Sequence, residues 1–145
     1  MQPDPDGKGM RVLVVRLHEE LYGIPSESVL EIVAAGSLAD AIARLPGAEG
    51  HVTGLLNLRG RLVAVVDLAQ RILGVPLRSA EPVVLLVTSA ERSLALMVDD
   101  VEDVAEVVLD PGPSGGASLL CGAGRLADKV VLIVDVDQLV VETFV

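Results

Sequence analysis

The sequence predicts an all-β domain, a barrel or a pair of barrels made of many short strands. Of 145 residues, 51% are hydrophobic but only 1% are aromatic, so Val, Leu, Ile and Ala must fill the core, and short branched side chains suit strands. Val-rich runs recur along the chain, each closed by Gly, Pro or a polar cluster, a spacing that favours barrels over a doubly wound sheet. The length is that of one domain, which near this size buries roughly 68–70% of its unfolded surface.

Taken in order, residues 1–10 read as a flexible tail and residues 11–145 as a single domain. RVLVVRL, from Arg11 to Leu17, is a short strand by length and β-branching. LYGIP is a second, bent and stopped by Gly23 and Pro25. SESVLEIVAA offers an N-cap at Ser26 or Ser28 and places Val29, Ile32 and Val33 at helical spacing, yet it reads equally as a turn running into a strand. SLADAIARLPG is expected to be a surface helical turn or loop closed by Pro46 and Gly47. HVTGLLNLR and RLVAVVDL form two strands around Gly60, and LAQRILG follows as a one- or two-turn helix ended by Gly74 and Pro76. PVVLLVTSAERSLALMVDDV has the form of a hairpin. VEDVAEVVLD comes next; over VDDVEDVAEV, Val101, Val104, Val107 and Val108 are expected on a buried side, with Asp99, Asp100, Glu102, Asp103 and Glu106 facing water. PGPSGGAS is a loop by composition, and LLCGAGRLADKVVLIVDVDQLVV closes the chain with two strands and a short terminal segment. GRLVAVVDLAQRIL from Gly60 and GRLADKVVLIVDVDQLV from Gly124 echo each other, each with Gly-Arg-Leu, a Val-rich strand ending in Asp and an apolar tail; such an echo predicts two similar half-domains.

Charge and composition exclude several functions. The net charge is −10 and no basic block is present, which argues against binding to nucleic acid or an anionic membrane surface. Scarce aromatics remove the stacking platforms of single-strand binders. The longest apolar runs, VVLLV and VVLIV, fall far short of the ~20 residues that span a bilayer, so no membrane insertion is expected. A lone Cys121 precludes an intramolecular disulfide, and the first ten residues lack the pattern of a signal peptide; a cytoplasmic location is expected.

Catalytic chemistry is poorly supplied, and neither enzymatic activity nor a cofactor is expected. His18 and His51 have no motif around them, Cys121 lacks a nucleophile signature and is expected to be a small buried thiol, and GPSGGAS lacks the Lys of a phosphate loop. Asp99, Asp100, Glu102, Asp103 and Glu106 cluster without a calcium-loop pattern, so no metal site is expected. Asp67 and Asp135 each end a Val-rich strand, where capping backbone donors is the natural role. An alternative function would use Asp67, Asp135 and the cluster from Asp99 to Glu106 as converging carboxylates of a small ligand- or metal-binding regulatory barrel.

GLLNLRGRLVAVVDL raises a different possibility. In a strand, Leu56 and Leu58 point one way and Asn57 and Arg59 the other, with Gly60 permitting a tight reversal. The polar pair is either a solvated hairpin face or an anchor for another protein, since Arg carries five donors in a rigid fork and is enriched at interface hot spots.

YGIPSESVLEIV, LPG, HVTGLLNLRGRLVAVVDLAQRILG, ALMVDDVEDVAEV and CGAGRLADKVVLIVDVDQLV together resemble a CheW-like domain, the scaffold of bacterial chemotaxis coupling proteins, over essentially Arg11 to Val141. Gly-x-x-Asn-Leu-Arg-Gly at Gly54 to Gly60, followed by Val-Val-Asp-Leu, is the most specific element. The resemblance implies two small five-stranded SH3-like β-barrels packed on a shared hydrophobic seam, with short helices and no active site. It implies an adaptor joining chemoreceptor cytoplasmic tips to the regulatory domain of a CheA-type histidine kinase, recruited to receptor arrays at the inner face of the membrane. Receptor-binding segments carry over onto Val29, Glu31 and Ile32, and onto Asn57, Leu58, Arg59 and Gly60. Two stretches depart from the family pattern: the longer connection over residues 34–47 and the Gly-rich loop over residues 111–118.

Overall fold

Alternation along a single strand sets up the architecture. A computed structural model describes residues 9–34, 42–44, 52–110 and 119–143. In β1 (Gly9–Leu17), Val12 and Val14 enter one core while Leu13, Val15 and Leu17 enter another, none more than 2% exposed. A strand buried on both faces must be apolar at every interior position, which explains the unbroken run VLVV.

The first core fills a closed barrel. Its members are β1, β2 (Glu20–Pro25), β9 (Asp100–Asp110), β10 (Leu120–Leu126) and β11 (Lys129–Val134), in the order β1-β2-β11-β10-β9. Val12, Val14, Val107, Val131 and Ile133 pack its interior.

The remaining strands are β3 (Val29–Ala34), β4 (Ile42–Arg44), β5 (Gly54–Leu58), β6 (Arg61–Asp67), β7 (Val83–Ser89) and β8 (Arg92–Val98). They form a six-stranded sheet in the order β3-β7-β8-β6-β5-β4. Leu56, Val63, Val65, Val84 and Ala95 make its own small core. Between barrel and sheet lies the largest core, drawing on both: Leu13, Val15, Tyr22 and Ile24 from one side meet Val66, Leu85, Val87, Leu94 and Leu96 from the other. Two helices seal this seam, α1 (Leu68–Leu73) through Leu68 and Ala69 and α2 (Val136–Thr143) through Val136, Leu139 and Val140. The all-β expectation with a shared seam and short helices therefore holds.

The second sheet has one strand beyond the five expected. β4 lies in the connection read as a helical turn or loop, and it pairs with β5 through Ile42–Leu56, Ala43–Leu55 and Arg44–Gly54. Gly54 makes the pairing possible, because a β-carbon there would lie 2.5 Å from the Ala43 carbonyl oxygen. The ambiguous segment over residues 26–34 resolves as a 3-10 turn, Ser26–Ser28, leading into β3.

Three further expectations change. In β9, Val107 is fully buried but Val104 and Val108 are each 46% exposed, because a strand sends Ala105, Val107 and Leu109 inward and their alternates out. The spacing 101, 104, 107 and 108 has helical rather than strand periodicity. Cys121, expected buried, is exposed on β10. Gly9 and Met10, assigned to the tail, already pair with Val108 and Val107 in the barrel; residues 1–8 lie outside the described residues, as does His51.

The internal echo is real but offset from its sequence alignment. β5, its turn, β6 and α1 match β10, its turn, β11 and α2, and each second strand pairs in parallel with a strand of its own sheet. Asp67 and Asp135 cap the two helices by accepting from the backbone N–H of Gln70 at 2.9 Å and of Gln138 at 3.0 Å. The Gly-Arg-Leu triplets do not correspond, since Gly60 sits in a turn and Gly124 within β10.

Candidate functional site

Asn57, Leu58, Arg59 and Gly60 form the tip of the β5–β6 hairpin. Leu58 pairs with Arg61, leaving Arg59 and Gly60 as a two-residue loop with φ of 50° and 85°. Positive φ at both positions is the type I′ arrangement that matches strand twist. Arg59 thus belongs to the turn rather than to the strand face. The Asn57 side chain accepts from the backbone N–H of Gly60 at 3.2 Å, so its work is to hold the turn rather than to steer the guanidinium directly.

The guanidinium reaches the other end of the sheet. Arg59 Nη2 donates to Glu31 Oε1 at 2.8 Å, and the Arg59 side chain remains 69% exposed. That hydrogen bond and the accompanying charge hold the Glu31 carboxyl below its ordinary value and raise the Arg59 guanidinium. A solvated pair of this kind contributes little to stability because water and salt screen it. Its effect is geometric: one Arg Nη is fixed by Glu31 and the fork is held at the surface.

Glu31 in turn places the hairpin tip beside a groove. Leu13 and Val104 of the barrel, with Ser26, Val29, Leu30, Glu31 and Ile32, line a cavity of about 320 Å³ between barrel and sheet. Val29 is half-buried against the seam, while Leu30 is 57% and Ile32 48% exposed. The pairing of β3 with β7 shifts register between Val29 and Glu31, the mark of a bulge at Leu30. Isolated exposed apolar residues are ordinary, but several around one concave site are not.

All seven residues expected to bind a receptor therefore fall on two adjoining features, the β3 wall of this groove and the hairpin tip tied to it. Sequence reasoning missed Leu13, Leu30 and Val104 as groove residues, and Leu62, which is 71% exposed and pairs with Asn57.

The carboxylates of the alternative reading do not converge. Asp67 and Asp135 are helix caps, and Asp67 also accepts from the backbone N–H of Leu77 at 3.2 Å. Asp99, expected to face water, is buried because three backbone N–H groups satisfy its carboxylate, and Arg16 bridges Asp100 and Glu102 at 3.2 and 2.7 Å. No group of three potential metal ligands occurs among the described residues. No helix among them is long and apolar enough to cross a membrane.

Comparison with known proteins bears on the fold and the family. The chain is 28% identical over 139 residues to the chemotaxis protein CheW of Klebsiella aerogenes, covering 90% of this chain and 81% of that one. Its fold superposes on the crystal structure of the scaffolding protein TtCheW from Thermoanaerobacter tengcongensis with a TM-score of 0.74 and 27% identity, covering 90% and 91% of the two chains. The CheW-like domain family matches residues 11–144, and the chain belongs to that family.

Proposed function

We propose that this protein is a non-enzymatic chemosensory adaptor that links the cytoplasmic tip of a chemoreceptor to a CheA-type histidine kinase. It would work in the cytoplasm, at receptor arrays on the inner face of the membrane. Supporting the reading are family membership and the placement of Val29, Glu31, Ile32, Asn57, Leu58, Arg59 and Gly60 around one groove and its rim. The observation that carries it is the groove itself, where exposed Leu30 and Ile32 offer apolar area beside a guanidinium held in position by Glu31. A helical receptor tip fits such a site: its apolar stripe covers Leu30, Ile32 and Val104, and its polar flank meets the remaining donors of Arg59. The kinase regulatory domain, as second partner, would use faces away from this groove.

Arg59→Ala tests the assignment. A hot-spot Arg typically loses more than about tenfold in affinity on truncation, so titration with a receptor-tip fragment should show at least that loss with thermal unfolding little changed. An unaltered affinity would discard the hairpin tip as a receptor contact.

A further inference from the structure

Asp99 is the only buried charged or polar residue in the described part of the chain, 6% exposed. It occupies the point where the chain leaves β8 of the sheet and enters β9 of the barrel. Its Oδ2 accepts from the backbone N–H of His18 at 2.6 Å, and Oδ1 accepts from those of Arg78 at 2.8 Å and Ser79 at 2.7 Å. Its own N–H donates to the Arg16 carbonyl at 3.1 Å. These bonds join the β1–β2 turn of the barrel, the segment between α1 and β7 of the sheet, and the crossing itself.

Two weaker contacts repeat the join. His18 Nε2 lies 2.8 Å from the Pro76 carbonyl oxygen, and Arg78 Nη1 lies 3.8 Å from Glu19 Oε1. His18 holds φ at 57° as the first residue of the two-residue turn between Leu17 and Glu20, which aims its N–H at Asp99. A buried carboxylate is costly unless its oxygens are hydrogen-bonded, so a fully satisfied one at this crossing is specific to the arrangement.

The groove lies at the other crossing between barrel and sheet, around Ser26–Val29. His18 is five residues beyond the groove residue Leu13 along β1, about 17 Å away at strand rise. Between them is the seam of Val and Leu side chains, whose attraction is non-directional and does not by itself fix how one sheet is rotated against the other. The hydrogen bonds of Asp99 are directional and link the same two bodies.

We infer that Asp99 is a positioning residue that pins the angle between barrel and sheet and so sets the width of the groove at the opposite end of the seam. This rests on the reading of that groove as the receptor site. Asp99→Asn keeps one oxygen for Arg78 and Ser79 but turns an amide NH₂ toward the His18 N–H, donor against donor, and so removes the side-chain half of the link to the barrel while the backbone bond to the Arg16 carbonyl remains.

The test uses the full chain. Residual dipolar couplings measured on wild type and Asp99→Asn report the relative orientation of barrel and sheet, and titration with a chemoreceptor-tip fragment reports the groove. In Asp99→Asn each body should fit its wild-type coordinates separately while their mutual angle changes, with receptor affinity down about tenfold. Arg125→Gln, which breaks only an exposed ion pair with Asp110 within the barrel's own strands, should leave both readouts unchanged. If Asp99→Asn does not fold, Asp99→Glu replaces it; its longer arm keeps the charge and must displace the turn. A variant whose couplings fit the wild-type orientation as one rigid body overturns the inference. Failure of the wild type to bind the receptor fragment would sink the groove's assignment instead, and the couplings would still decide the pin.

Discussion

Replacing Leu30 and Ile32 together by threonine strips the groove of its most exposed apolar area while leaving the fold alone. Leu30 is 57% and Ile32 48% exposed, so a partner that covers them recovers a corresponding share of their transfer free energy. Scaling about 1.5–3 kcal/mol for complete burial of each side chain by these exposures gives roughly 1.6–3 kcal/mol for the pair, about 15- to 150-fold in affinity. Threonine keeps one methyl and its β-branching, so β3 stays formed and the loss falls near the lower end, about tenfold. Calorimetric titration of a chemoreceptor-tip fragment measures the affinity, and thermal unfolding checks that stability shifts by no more than about 0.5 kcal/mol, as for other surface substitutions. An affinity within twofold of wild type, with unchanged unfolding, would show that receptor contact lies elsewhere and refute the reasoning.

Leu56, 1% exposed among Val63, Val65, Val84 and Ala95, anchors the small core of the sheet, and Leu56→Ala should cost about 2–5 kcal/mol in urea unfolding. A loss under about 1 kcal/mol would mean that this core is not packed as described. Gly60 has φ of 85°, and a β-carbon there would meet no atom within 4 Å, so Gly60→Ala should destabilise through backbone strain alone, by about 1–2 kcal/mol; no change in thermal unfolding would contradict the turn assignment. At Asp99, burial pushes the carboxyl up, but the backbone N–H groups of His18, Ser79 and Arg78 together pull it below its ordinary value. A lowered folded pKa means that the stability Asp99 contributes is present above the unfolded value of about 3.9 and is lost as pH falls through the folded one. Across that acid window Asp99→Asn should lose less stability than wild type; parallel curves would exclude Asp99 as a source of acid lability.

How far the sequence could be read depends on how local each feature is. Turn glycines, β-branched runs and Asp helix caps act within a few residues, so β1, β2, the β5–β6 and β7–β8 hairpins and α1 were legible. β4 was not, because it exists only through pairing with β5 and the missing side chain of Gly54, a partnership remote from its own composition. β9 was misread in its burial because valine at 104 and 108 meets water where an acid would be expected, and only the barrel's closure shows which face is inside. The site divided in the same way. Asn57 and Arg59 announced themselves as polar residues in an apolar run, and Val29, Glu31, Ile32, Leu58 and Gly60 followed from family resemblance. Leu13 and Val104 could not be found without the fold, because they come from the barrel and meet β3 only across the seam.

The most direct measurement is chemical-shift mapping of the isotopically labelled full chain during titration with a chemoreceptor-tip fragment. The largest changes should fall on Leu13, Val29 to Ile32, Arg59 and Val104. Changes confined to the barrel surface of β10 and β11, around Arg125 and Val130, would contradict receptor docking in the groove.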